Sequence, residues 1–252
     1  MNINKKKIII KTIKTCRFCH MCKIACTVGN ITKNESNYPH GEALTLSFIL
    51  DGIVKYDLEI AERMYQCAMC GRCKDWCISD YDIPAIVLNA REEIVEKGII
   101  PENVSNIYKN IKKYGNPFGI NYDSKKIDEK IKKYSSNNKE KVDVLIFIGD
   151  SYKYFPNIFY SLEKILKSFN KKFMVLKKEN CNIKLLYELG FTEDAKSLAD
   201  ENIKNINQVD CDFVVTADAD EYFALKRIYP ILVNNLVINK KIFHISEYIN
   251  IY

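Results

Sequence analysis

Cys16-Arg-Phe-Cys19-His-Met-Cys22-Lys-Ile-Ala-Cys26 and Cys67-Ala-Met-Cys70-Gly-Arg-Cys73-Lys-Asp-Trp-Cys77 share the spacing C-x2-C-x2-C-x3-C and hold eight of the chain's ten cysteines. At this spacing three close thiolates bind three irons of one cubane, while the fourth cysteine opens a helix and crosses to the other cluster. Applying that crossing gives cluster 1 Cys16, Cys19, Cys22 and Cys77, and cluster 2 Cys67, Cys70, Cys73 and Cys26, each a 4Fe–4S centre. The exchange ties residues 16–26 to residues 67–77, so bound metal would hold this half of the chain together. Paired C-x2-C knuckles also bind zinc, but zinc takes two ligands from each knuckle and leaves the third and fourth cysteines unexplained. With four thiolates closing each cubane, no iron stays open to substrate, which points to electron relay rather than Lewis-acid catalysis. Thr27 and Ile78 stand where a proline commonly follows the fourth cysteine. Proline is not a ligand, so the departure bears on turn geometry and reduction potential.

Around the second run the helical signals are clear. Asp57 to Gln66 carries Leu58, Ile60, Ala61 and Met64 and leads into Cys67. Asp82 can cap a helix with Pro84 in its first turn and Ile86, Val87, Ala90, Ile94 and Val95 at helical intervals, ended by Gly98. Asn121 to Lys141 is rich in Ser, Asn and charge and reads as a linker, with one short exposed helix near Ile127 to Tyr134. Beyond it the pattern becomes strand and helix in alternation. Val142–Ile148 is a buried-strand run, followed by a helical face of Phe155, Ile158, Phe159, Leu162, Ile165, Leu166 and Phe169. Lys172–Leu176 is a second strand, Thr192 caps a helix bearing Ala195, Leu198, Ala199, Ile203 and Ile206, and Asp212–Thr216 is a third strand before a helix over Ala219–Ile228. The fold class is therefore α+β: a mainly helical, ferredoxin-like two-cluster domain over 1–120, a charged linker over 121–141, and a small α/β domain with a mostly parallel sheet over 142–252.

The 252 residues suffice for one large domain or two small ones, and 47% hydrophobic content can bury real cores. Thirty-eight basic against 32 acidic residues leave +6, spread as 17 against 13 over 1–120, 6 against 4 over 121–140 and 15 against 15 beyond. No basic stripe forms, which argues against nucleic acid as a partner. The apolar run Ile8–Ile10 is too short for a signal peptide, and no window reaches the roughly 18 apolar residues of a membrane span. A cytoplasmic protein without a transmembrane segment is expected, with peripheral membrane association left to a partner.

Motifs outside the cysteines carry a resemblance. Tyr38-Pro-His-Gly41-Glu-Ala stands between the runs, Asp82-Ile-Pro84 and Asn89-Ala-Arg91 follow the second, and Tyr114-Gly-Asn-Pro-Phe-Gly119 comes later. In order and spacing this resembles the iron–sulfur subunits of the heterodisulfide reductase, glycolate oxidase and anaerobic glycerol-3-phosphate dehydrogenase group. There a two-cluster segment precedes cysteine-rich repeats named for a Cys-Cys-Gly motif. The second half looks like one such repeat with most cysteines gone. Phe147-Ile-Gly-Asp150, Glu179-Asn-Cys-Asn182 and Thr216-Ala-Asp218-Ala-Asp-Glu221-Tyr222 stand where the family has cysteines, Leu189–Ala195 is similar to its following helix start, and Phe243–Glu247 resembles its ending. The resemblance implies an electron-transfer subunit that serves a flavoprotein or a subunit with intact repeats, while the family's own disulfide-reducing or quinone-linked site is lost here.

Asp150, Cys181, Asp218 and Glu221 thus mark a vestigial site. Hard carboxylates at converging strand ends suit a hard metal or acid–base work, but the expected reading is that they are solvated loop groups left after cluster loss. Cys211 reads as a small buried hydrophobe at a strand start. Cys181 is open between vestige, core and reactive thiol. His20 is expected exposed or backbone-bonded, Trp76, Phe18 and Tyr81 are expected to shield the clusters, and Lys23, Arg72 and Lys74 are candidate cations beside them. No nucleophile–base pair or Gly-rich dinucleotide loop is present, so no catalytic residue is assigned. A metal-stapled interaction module, and an enzyme with its own site in the α/β domain, stand as alternatives.

Overall fold

The computed structural model describes residues 13, 15–121, 131, 133–135, 141–176, 178–233 and 235–251. Their contacts form two compact units, Met1–Ser105 with Glu188–Phe191, and Asn106–Tyr187 with Thr192–Tyr252. The polar stretch 121–141 lies mostly outside the described residues. Of its expected helix only Ile131, Lys133 and Tyr134 are described, and they are helical.

The first unit is helical. Short helices α1 (Met21–Ala25) and α2 (Thr27–Thr32) follow the first cysteines, and α3 spans Pro39–Leu50 with Pro39 at its first position. The expected helix before Cys67 is α4 (Leu58–Gln66), capped by Asp57, whose side chain accepts from the Ile60 N–H at 2.8 Å. Then come α5 (Arg72–Asp75) and α6 (Ile83–Glu96), the latter capped by Asp82 through the Ala85 N–H at 3.1 Å. Ala43, Leu46, Ile60, Ala61, Met64, Ile83, Ile86, Val87, Ala90 and Ile94 form its core, with Cys16, Cys22, Cys67 and Cys77 packed against it. Each large apolar side chain buried there contributes about 1.5–3 kcal/mol. Helix α3 was not read from the sequence, because its apolar residues do not gather on one face.

A seventh helix, α7 (Glu102–Tyr114), was likewise unforeseen. In the second unit four strands, β1 (Val142–Ile146), β2 (Phe173–Val175), β3 (Cys211–Thr216) and β4 (Lys241–His244), form one sheet in the order β2-β1-β3-β4. Every pairing is parallel, with Ile146 beside Val175 on one side and beside Val215 on the other, and Thr216 beside His244. Strand order therefore reverses between β1 and β3, which makes their carboxyl ends the switch point of the sheet. Helix α9 (Asn157–Ser168, after the single turn α8 at Ser151–Tyr154) buries Phe159, Leu162 and Leu166, and α11 (Thr192–Gln208, after α10 at Ile183–Glu188) buries Ala195, Ala199, Ile203 and Ile206.

Three expectations need correction. Phe155 lies outside α9 and is 65% exposed. The single helix expected over Ala219–Ile228 is α12 (Ala219–Phe223) followed by a π turn over Ala224–Ile228 and α13 (Tyr229–Leu232). Strand β4 and the closing helix α14 (Ile245–Ile249) were not expected as elements. Among the described residues no helix is long and apolar enough to cross a membrane.

Candidate metal centre

The sequence repeat is also a backbone repeat. Phe18 and Met69, each two residues after the first cysteine of a run, take φ of +50° and +54°, and His20 and Gly71, each four residues after, take +62° and +79°. Both runs thus make the same left-handed turns and then enter a short helix, α1 or α5. Gly71 adopts its turn without a Cβ in the way, whereas His20 holds it at a steric cost.

These turns bring the thiols together in two sets. Cys16 has its acidity weakened first by burial, then by the charges of Cys77 and Cys19; the Cys22 thiol is pushed to about 11 by burial and then by Cys16, Cys19 and Cys77. In the other set, burial and then Glu42 raise Cys26 and push Cys67 to about 12. Burial and then Cys67 and Glu42 push Cys73 to about 12, and Cys70 neighbours both Cys26 and Cys73. The two sets are electrostatic neighbours, since the charge of Cys22 also raises Cys73. A cavity between α2, α3 and the second run is lined by Cys26, Cys67, Cys70 and Cys73 with Ala25, Val28, Glu42 and Pro84. Cys19 and Cys70 are exposed at the surface.

The fourth cysteines differ. Cys26 caps α2, its sulfur accepting from the Gly29 N–H at 3.3 Å. Cys77 starts no helix. A turn at Ile78 and Ser79 follows it, and α6 waits for Asp82.

Buried polar groups surround both sets. Tyr81 is 1% exposed, its hydroxyl has no hydrogen-bond partner among the described residues, and burial followed by the charges of Cys16, Cys77 and Cys22 weakens its acidity. Glu42, buried beside Cys67, has a carboxyl pushed up to about 7 by burial, against the opposing pull of Arg91. Arg91 is 4% exposed and donates to the carbonyls of Met64 at 3.0 Å, Cys67 at 2.6 Å and Glu188 at 2.7 Å. It is the buried cation of this region, and Lys23 and Lys74 are not. Lys23 pairs with Glu35 and Lys74 with Asp82, both at the surface, and Arg72 is exposed. Glu42 and Arg91 were missed as neighbours of the thiols, although a charge beside Ala90 on the apolar face of a helix is a legible signal. Of the expected shields only Tyr81 is buried; Phe18 is 41% and Trp76 46% exposed. His20 is exposed, as expected, with its ring 4.1 Å from that of buried His40.

The residues of the second-unit site also converge, at the switch point of the sheet. Asp218 caps α12, accepting from the Asp220 and Glu221 N–H groups at 2.9 and 3.2 Å and from the Ser151 hydroxyl. Asp150 accepts from the Asn182 side chain. Glu179 accepts from the Ile148 and Gly149 N–H groups, each at 3.0 Å. Glu221 is 6% exposed, and burial, then Asp218, Glu179 and Asp150, hold its carboxyl far above the usual range. The solvated-loop expectation is therefore corrected for Glu221. Gly149 has φ of +75°, and a Cβ there would lie 2.9 Å from the Glu221 Cγ. Cys181 is half-buried and near Tyr229, and Cys211 is buried at the start of β3, as expected. Most of these carboxylate oxygens are taken up by the protein's own N–H and hydroxyl groups. Among the described residues no three His, Cys, Asp or Glu side chains converge on a single metal ion. That leaves the two thiol sets as they stand, because a cubane spreads its four thiolates over four separate irons.

The chain is 27% identical over 228 residues to an uncharacterized iron–sulfur protein of Methanococcus maripaludis, a match that covers 87% of this chain and 45% of the relative. The chain thus spans under half the length of that curated relative. No family model matches the sequence, and no solved structure matches it.

Proposed function

We propose that this chain is an iron–sulfur electron-transfer protein that holds two 4Fe–4S clusters and serves as a subunit of a multi-subunit cytoplasmic oxidoreductase. The observation that carries the reading is the division of eight cysteines into two sets of four, each with three thiols from one run and one from the other. The donor chemistry fits the group. Soft thiolates in apolar surroundings, close-set turns and buried hydroxyl and guanidinium groups are the environment such clusters need. The likeness to the iron–sulfur protein of Methanococcus maripaludis supports it.

When bound, such clusters store and pass single electrons. Cys16, Cys19, Cys22 and Cys77 would hold one, and Cys67, Cys70, Cys73 and Cys26 the other. Arg91 places a positive charge against the Cys67 carbonyl, where it offsets negative charge on the second set. The electrostatic proximity of Cys22 to Cys73 supports a single path through the two sets. Exposed Cys19 and Cys70 mark where electrons enter and leave toward a flavoprotein or an intact cysteine-rich-repeat subunit of the heterodisulfide reductase type.

Anaerobic purification with iron, sulfide and zinc analysis tests the reading, together with paramagnetic resonance after dithionite reduction. About eight irons per chain and two interacting reduced cubanes are expected. Stoichiometric zinc without a reducible signal would overturn it.

A further inference from the structure

Tyr81 stands four residues after Cys77, as Asn30 stands four residues after Cys26. The two positions have gone separate ways. Asn30 is exposed and donates its side-chain amide to the Ile24 carbonyl at 3.1 Å. Tyr81 is buried in the core into which Cys16, Cys22 and Cys77 pack, and its hydroxyl has no partner among the described residues. A phenylalanine would fill the same space without an idle hydroxyl, and an unpaired buried hydroxyl gives up its water without return. The group that this hydroxyl serves must therefore accept a hydrogen bond. The three nearby thiols are where such an acceptor would be held.

We infer that Tyr81 donates its O–H to a sulfur of the cluster on Cys16, Cys19, Cys22 and Cys77, and that this bond raises the reduction potential of that cluster alone. The inference rests on the cluster reading above and adds a residue-level asymmetry to it. Sulfur becomes a stronger acceptor as the centre gains negative charge, so a donor aimed at it favours the reduced form. One electron enters the centre; Tyr81 keeps its proton, and no bond within the tyrosine is made or broken. The backbone at Tyr81 is fixed on its C-terminal side, because Ile83 N–H bonds the Tyr81 carbonyl at 3.1 Å and Asp82 caps the following helix.

The test is the variant Tyr81→Phe in the full chain, prepared without oxygen beside the wild type. Both are assayed for iron and titrated potentiometrically while the two paramagnetic signals are followed. The expected result is unchanged iron and one midpoint moved downward by about a tenfold change in the reduced-to-oxidised ratio, about 59 mV for one electron, with the other midpoint fixed. Two unmoved midpoints at full iron would overturn the role of Tyr81 and leave the clusters in place. A wild type without reducible iron would instead remove the reading on which it rests. Should Tyr81→Phe fail to hold iron, 3-fluorotyrosine placed at position 81 alone keeps the shape and strengthens the donor. It is expected to move the same midpoint upward, and no movement would overturn the inference.

Discussion

The two cysteine runs and the parallel sheet solve the problem of holding a chain in place by different means. In the sheet, Val144, Leu145, Ile146, Val214 and Val215 are wholly buried, and hydrogen bonds run from strand to strand. Burial of apolar surface is sufficient there. Around the runs the helices are four to six residues long, well under the roughly 12–15 at which a helix stands by itself, and Ile24, Ile31 and Ile78 are 71%, 83% and 82% exposed. The cysteines there pack against the helical core of the first unit, and on the proposal above bound clusters would add to what that core supplies. The contrast teaches that one chain can combine a sheet held by buried apolar surface with a segment whose order would draw on a bound group.

The sharpest way to break this comparison is to remove thiols across the runs. Cys77→Ala is expected to abolish the same paramagnetic signal as Cys16→Ala, and Cys26→Ala the other, each with a loss of about four irons. Loss of one signal by both Cys22→Ala and Cys26→Ala would show uncrossed sets. Stripping iron with a chelator should melt the cysteine segments while the ellipticity of the sheet unit persists. A single loss of both would erase the distinction.

Next in size is the sheet core itself. Leu166→Ala, at a wholly buried site, should cost the second unit about 2–5 kcal/mol in denaturant unfolding and leave iron content unchanged. Glu221 sharpens the picture further through pH. Its carboxyl keeps its proton in the fold and loses it in the unfolded chain above the usual carboxylate value. Stability is therefore fully present at low pH and falls as pH rises from about 4.5 toward the raised folded value, by about 1.4 kcal/mol per unit. Glu221→Gln should flatten that slope in urea titrations between pH 5 and 7, and a slope unchanged in the variant would refute the assignment. The smallest effect is expected from Asp82→Ala, which removes the cap of Ile83–Glu96 at about 1 kcal/mol and so tests how far that helix supports the runs.

Much of this was legible in the residues. Alternating apolar periods and the cap at Asp82 gave the α+β class and most of the helices and strands, while Thr192, expected as a cap, is the first residue of its helix. The expected thiol grouping came from applying the ferredoxin crossing to the repeated spacing. What escaped notice has physical reasons. Pro39–Leu50 carries buried His40 and Glu42 among its apolar residues, so no single face stands out. The π turn at Ala224–Ile228 widens a helix by one residue per turn without any glycine or proline inside it. Arg91 and Glu221 are charges that tertiary structure buries, and local pattern assigns charges to the surface. Asp150, Asp218 and Glu221 were expected together at the strand ends, but Glu179 joins them through the Ile148 and Gly149 N–H groups, a pairing no local window contains.

The exchange proposed for the fourth cysteines also has a meaning in time. On that pairing, a ribosome that has released residues 16–26 has made three donors of one set and one of the other; the set with Cys26 is complete only at Cys73 and the other only at Cys77. Neither could close on a fragment that ends before residue 73. Loading would then wait for the second run, and a product truncated ahead of it would keep neither centre.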